Sequence, residues 1–274
     1  MANHSHYEIN AFACTDVGRV RRTNEDSFLL ANLTKGVRIE NAGVMKFSSG
    51  PHGSLFAVAD GMGGAAAGEL ASRLCLETLY GEVMSLIRTA RKIATETIEQ
   101  VLIDAVGTAN QRLFELGRRR EEYSGMGTTL TAAFELGGKL VIGQVGDSRA
   151  YMIREDGIRQ LTRDQSLVAQ MVSDGKLTEE QARHSPERNI LLQALGVLET
   201  VEVGLRGVVV HRGDILLLCT DGLHTQARAD EICEIVLDSD SVRESGLELT
   251  NLANDRGGPD NITCVLVQFL PATD

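Results

Sequence analysis

The stretch TTLTAAFELGGKLVIGQVGDSRAYMIRED, Thr128–Asp156, decides the fold class. It holds three short apolar runs, TTLTAAFEL, KLVIGQVGD and RAYMIRED, rich in β-branched and aromatic residues and bounded by Gly or Asp, which is how strands read. The first two are joined by LGGK, where Gly137 and Gly138 are suited to a tight hairpin, so these two strands run antiparallel. Similar runs recur on both sides: INAFACTD, EDSFLLANL, VEVGLRGVVV, DILLLCTDG and NITCVLVQFL. Helical spacing is confined to blocks, from about Ala66 to Tyr80, from about Ile93 to Leu116, and from about Asp230 to Arg256. Strands in hairpins with helices bunched between groups of them predict an α+β fold with antiparallel sheets, not a doubly wound parallel one.

No proline-rich or low-complexity linker divides the 274 residues, so residues 1–274 are expected to form a single domain. The segment from 166 to 195 stands apart as polar, with two short helical patterns, SLVAQMVSDG and LTEEQARHS; it reads as a flap inserted into the sheet framework. Residues 1–8 read as a flexible leader, and the His4 and His6 pair within it offers too few ligands for a metal site.

Thirty-eight acidic against 27 basic residues give a net charge of −11, which excludes a nucleic-acid backbone as the main partner. Five cysteines, odd in number and without a CxxC, read as small buried hydrophobes in a reducing cytoplasm. No apolar run is long enough to span a membrane and no secretory signal opens the chain, so the expectation is a soluble, cytoplasmic protein.

Chemistry enters through acids at strand edges, each beside a Gly or Asn: Glu25 and Asp26 in TNED, Asp60 in VADG, Asp147 in VGDSR, Asp221 in CTDG and Asp260 in GGPDN. A single DG is usually a turn. Five such motifs together are different, because strand ends deliver side chains to fixed places and converging carboxylates raise one another's pKa unless a cation neutralises them. Oxygen donors without His or Cys at ligand spacing favour Mg²⁺ or Mn²⁺ over zinc. Gly61 then offers a backbone carbonyl. GMGGAAAG lacks the lysine of a nucleotide-binding P-loop, and no cysteine sits in a CxxxxxR loop for covalent phosphate chemistry.

The motifs RRTNED, VADGMGG, GMGTTL, VGDSRAY, LTRDQS, ILLQALG, LLLCTDGL and GGPDNIT occur in the order and approximate spacing of the PPM family. The chain, over about residues 12 to 270, thus resembles the type 2C metal-dependent serine/threonine protein phosphatases, in their bacterial branch. The resemblance implies a four-layer α-β-β-α sandwich with two central antiparallel sheets. It implies hydrolysis of phosphoserine and phosphothreonine on proteins by a metal-activated bridging water, without a phosphoenzyme. Two Mn²⁺ or Mg²⁺ ions are implied: Asp60 bridges them, Gly61 gives its carbonyl to one, and Asp221 and Asp260 complete the other. Glu25 and Asp26 match positions that act through metal-bound water, Asp147 matches the position of a third, weaker metal, and Arg21 matches the arginine that grips the substrate phosphate.

The implied partners are phosphorylated proteins and a serine/threonine kinase acting on the same targets, with the phosphatase itself a monomer. Two places depart from the family pattern. Met62 stands where eukaryotic members often carry a histidine that can protonate the leaving group, and Gln165 stands where histidine is expected. His184 and His224 read as exposed or structural. Two rival readings use the same motifs: a small-molecule phosphoesterase, and a degenerate domain kept as a signalling scaffold.

Overall fold

The computed structural model describes residues 7–90 and 93–271. Among the described residues, thirteen strands form two sheets. The first sheet contains β1 (Tyr7–Asp16), β4 (Gly43–Ser48), β9 (Arg149–Arg154), β10 (Gly157–Gln160), β12 (Ile215–Cys219) and β13 (Ile262–Pro271), in the order β10-β9-β12-β13-β1-β4. The second contains β2 (Asp26–Asn32), β3 (Val37–Ile39), β5 (Ser54–Met62), β7 (Leu130–Leu136), β8 (Lys139–Val145) and β11 (Gly204–Val209), in the order β11-β8-β7-β5-β2-β3. The two-residue β6 (Gly127–Thr128) adds to the end of β5. Every ladder is antiparallel, and β7 turns into β8 through Gly137 and Gly138 at φ +62° and +85°, as the hairpin signal predicts.

Alternation along the strands produces the layers, since successive side chains point to opposite faces. On β5, Phe56 and Val58 face the other sheet, meeting Ile9, Phe28, Ile142, Leu218, Val265 and Phe269 in the inter-sheet core. Their neighbours Leu55, Ala57 and Ala59 face outward onto α1 (Ala65–Ala90) and α2 (Ile98–Arg119). The first sheet turns Phe12, Leu217, Cys264 and Leu266 outward onto α5 (Asp221–His224), α6 (Ala229–Asp238) and α7 (Val242–Asp255). Each fully buried Leu or Phe contributes about 1.5–3 kcal/mol, so three apolar layers hold four layers of structure together.

α1 runs past its predicted end, α2 begins at Ile98 instead of about Ile93, and the block from about Asp230 to Arg256 is split into α6 and α7. Beyond the predicted end at about Tyr80, Val83 and Ile87 continue the buried stripe of α1 and the helix runs to Ala90. The DSDS turn separates α6 from α7, where the Ser241 hydroxyl accepts from the Glu244 amide at 3.2 Å as an N-cap. The segment from 166 to 195 joins no sheet and carries α3 (Leu167–Ser173) and α4 (Glu179–Arg183). Four cysteines are buried, Cys233 is half-buried, and all five are free. No helix among the described residues is long and apolar enough to cross a membrane.

The expected leader is shorter than residues 1–8. Tyr7 and Glu8 already belong to β1, because the Tyr7 ring packs edge-on against Phe269 and its hydroxyl donates to the Val210 carbonyl at 2.8 Å. Residues 1–6, with His4 and His6, lie outside the described residues.

Candidate active site

Antiparallel pairing brings strand starts and strand ends to one rim. The register sets Asp26, opening β2, directly opposite Asp60 on β5. In the first sheet the end of β12 lies beside the start of β13, placing Asp221 and Asp260 at the same end, and Asp147 lies in the link from β8 to β9 between the two sheets. The candidate acids are therefore drawn from both sheets to one mouth of the sandwich. A groove of about 840 Å³ opens there, lined by Arg21, Asp147, Asp221 and Asp260 and roofed by the 166–195 segment.

Hydrogen bonds fix these acids and leave several of their carboxylate oxygens without a partner. Asp60 donates its amide to Thr129 Oγ1 at 3.0 Å, and its carbonyl accepts from the Thr128 hydroxyl and the Thr129 amide, both at 2.9 Å. Among the described residues its carboxylate has no hydrogen-bond partner. Asp26 is buried, with Oδ2 accepting from the Thr220 hydroxyl at 2.8 Å and Oδ1 lacking a partner. Asp221 opens α5 and its Oδ1 is likewise buried without one.

The charges respond to this crowding. Burial, then the charges of Asp26, Asp221, Asp147 and Asp260, hold the Asp60 carboxyl well above the ordinary carboxylate range. Burial pushes Asp26 up to about 7 against the Thr263 and Thr220 hydroxyls, with Asp221 and Asp260 adding to the rise. Burial and then Asp260 push Asp221 up to about 6, and burial and then Asp221 raise Asp147 strongly. Glu25 is raised by burial, with Arg21 opposing.

Arg21 donates Nη2 to Asp260 Oδ2 at 2.8 Å. A strand through DVGRVRRTNED, Asp16–Asp26, would put Arg19 and Arg21 on one face and Arg22 on the other, but residues 17–25 form an irregular loop, and the pairing with Asp260 is what distinguishes Arg21 from its neighbours. The loop is held by Asn261, which the sequence reading did not single out: its Nδ2 donates to the Val17 and Thr23 carbonyls at 3.0 and 2.9 Å, while its Oδ1 accepts from the Glu25 amide at 2.8 Å. Thr220 and Thr129 were also missed. The motifs GGPDN, CTDG and GMGTTL contain all three, so their presence beside the acids was the available signal.

The two departures from the family pattern acquire structural accounts. Gln165 clamps the turn before Asp147: its amide donates to the Gly146 carbonyl at 2.9 Å, its Oε1 accepts from the Gly146 amide at 2.8 Å and its Nε2 donates to the Glu202 carbonyl at 3.1 Å. Met62 ends β5 opposite Gly127 and has no proton to give. His224 is buried, with Nε2 at 3.1 Å from the Asp147 carbonyl, and burial drives its pKa well below the usual value, keeping it neutral. His184 is exposed and paired with Glu180.

The donor set fits hard divalent cations: unpartnered carboxylate oxygens on Asp26, Asp60 and Asp221, mutual repulsion that only positive charge relieves, and no thiolate or imidazole among them. Among the described residues no three Asp, Glu, His or Cys side chains already close around one point at ligand spacing. Asp260 is engaged by Arg21, and Gly61 would contribute a backbone oxygen instead of a side chain. The place of Gly61 is sterically fixed, because a Cβ there would overlap the Gly68 carbonyl and press on the Glu25 carbonyl. Gly61→Ala is therefore expected to destabilise the protein by about 3 kcal/mol, a fall of roughly 6–12 °C in melting temperature by thermal unfolding; an unchanged value would show that β5 and α1 can part without cost.

Two face-to-face antiparallel sheets, covered by a long helix pair on one side and a short helix group on the other, with acids gathered at one rim, define the four-layer α-β-β-α sandwich class. A family model described as Protein phosphatase 2C matches residues 41–270, beginning after Arg21, Glu25 and Asp26. The chain is 37% identical over 254 residues to the serine/threonine phosphatase stp of Listeria innocua, covering 93% of each. It superposes on the Streptococcus agalactiae serine/threonine phosphatase with a TM-score of 0.82 at 30% identity, covering 95% of this chain and 99% of that one. The catalytic domain of the serine/threonine phosphatase PstP, solved in complex with two manganese ions, superposes with a TM-score of 0.77 at 32% identity, covering 96% and 99%. The chain belongs to the protein phosphatase 2C family, in the bacterial serine/threonine phosphatase branch that its motifs resemble.

Proposed function

We propose that this phosphatase removes phosphate from phosphoserine and phosphothreonine on proteins by direct attack of water, with Mn²⁺ or Mg²⁺ held at the sandwich rim. The observation that carries the reading is Asp60: its backbone is fixed by three hydrogen bonds, its carboxylate is unpartnered, and four further aspartates act on its charge. Asp60 would bridge two ions, with the Gly61 carbonyl on one, Asp221 and Asp260 on the other, Glu25 and Asp26 acting through bound water, and Asp147 serving a third, weaker ion. The two manganese ions of the PstP structure support this count. When bound, such a pair supplies positive charge to the phosphate and acidifies water.

The remaining work falls to the chain itself. Arg21 holds the substrate phosphate: its guanidinium donates a single bond to Asp260 at 2.8 Å, and its planar fork can match two phosphate oxygens at once. Thr220 and Asn261 keep Asp26 and the Arg21 loop in place, so these groups need not reorganise during turnover. Since Met62 cannot donate a proton, the leaving alkoxide takes its proton from water or another group. The substrates are phosphoproteins that a serine/threonine kinase modifies, and the unpaired, mostly buried cysteines agree with a cytoplasmic setting.

The test is hydrolysis of p-nitrophenyl phosphate and of a phosphothreonine peptide with and without Mn²⁺. Metal-dependent turnover of both is expected; none above background would leave the scaffold reading in place, and turnover of the small ester alone would favour a small-molecule phosphoesterase. Arg21→Ala is expected to raise KM about tenfold and change kcat less, as the loss of a charge-assisted phosphate contact would. A wild-type KM would remove Arg21 from that role.

A further inference from the structure

The groove at the rim carries more positive charge than one phosphate requires. Six arginines line it, and three are committed: Arg21 to Asp260, Arg149 to Asp164 through paired bonds, and Arg256 to Glu231. Arg183, Arg188 and Arg228 are exposed, and among the described residues their side chains enter no ion pair or hydrogen bond. Arg183 ends α4 and Arg188 follows it, both on the 166–195 roof, while Arg228 stands across the groove just before α6. The opposing acid on the roof is Glu179, because Glu180 is occupied by His184 at 3.1 Å. In a chain of net charge −11, three uncommitted arginines on both walls of one groove are a local exception.

We propose that Arg183, Arg188 and Arg228 form a second anion subsite, which reads a further negative group on the same substrate chain, a second phosphate or acidic side chains, beside the phosphoresidue held by Arg21. This inference rests on the phosphatase reading. Guanidinium forks suit phosphate and carboxylate alike, and charge at a groove mouth raises the capture of anionic chains. Arg183 and Arg188 line the same groove as Arg21, Asp221 and His224, so one short peptide lying in it can reach both the roof and the rim.

Three phosphothreonine peptides of one sequence test it: neutral flanks, aspartate flanks, and a second phosphothreonine. For the wild type, kcat/KM is expected to be about tenfold higher on at least one doubly anionic peptide than on the neutral one. The peptide that gains identifies the source, phosphate alone or any anion. Arg183→Ala with Arg188→Ala should bring the ratio close to one, the lysine pair should keep most of it, and added salt should shrink it in the wild type. Equal wild-type rates on all three, or a ratio that survives the alanine pair, would overturn the subsite. Fluorescence anisotropy of the labelled peptides, which needs no turnover, separates the two readings: absent hydrolysis of every ester sinks the phosphatase, whereas equal binding of neutral and anionic peptides sinks the subsite.

Discussion

Asp60→Asn is expected to cut metal-dependent turnover by at least about a thousandfold while raising the melting temperature of the metal-free protein. The two effects come from one cause. Asp60 is held where Asp26, Asp221, Asp147 and Asp260 all oppose its charge, a placement that costs stability and makes sense only if a cation is to be bound. Asparagine keeps the shape and the backbone bonds to Thr128 and Thr129 but removes the charge. Removing a charge that burial and four neighbouring aspartates oppose is what raises the melting temperature. Thermal unfolding in chelator, beside a manganese-dependent assay, reads both. Retained activity would remove Asp60 from the ligand set; a lower melting temperature would mean that its carboxylate stabilises the fold through a contact absent from this structure.

The parts of this site legible in the sequence are those whose signal is local. VADG, CTDG and GGPDN put an acid at the edge of a long apolar strand, and long strands such as β5, β12 and β13 are legible because their burial is nearly continuous. Edge strands β3, β4 and β10 are short and half-exposed, so their residues carry little periodic signal. The Arg21 loop was open to misreading as a strand because what bends it is remote: Asn261 grips Thr23 and Val17 from the far end of the chain. Thr220 and Asp26 meet in the same way, from opposite sheets. Hydrogen bonds of this range leave no spacing to read, and so the positioning residues emerge only from the fold.

The second large effect is a reversal of pH dependence by metal. Asp26 at about 7, Asp221 at about 6, and Asp60 and Asp147 shifted strongly upward all hold protons in the folded chain at pH values where the unfolded chain has released them. Stability therefore falls as pH rises from about 4 through about 7, and the metal-free protein should melt highest on the acid side of that window. Divalent cations held by these carboxylates would bind their ionised forms, so the affinity would grow with pH and the shift they cause would grow with it. A cation at about a hundred times its Kd adds ~2.7 kcal/mol, which predicts a rise of roughly 5–10 °C at pH 8 and little at pH 5. Glu135 supplies the control. It is buried on β7, away from the rim, raised to about 7 by burial, with Oε1 accepting from the Gly138 amide and Oε2 unpartnered. Glu135→Gln should flatten part of the metal-free slope and leave the manganese shift unchanged, whereas Asp60→Asn should abolish that shift. A manganese shift of equal size at pH 5 and pH 8 would mean that the ions bind somewhere other than these carboxylates.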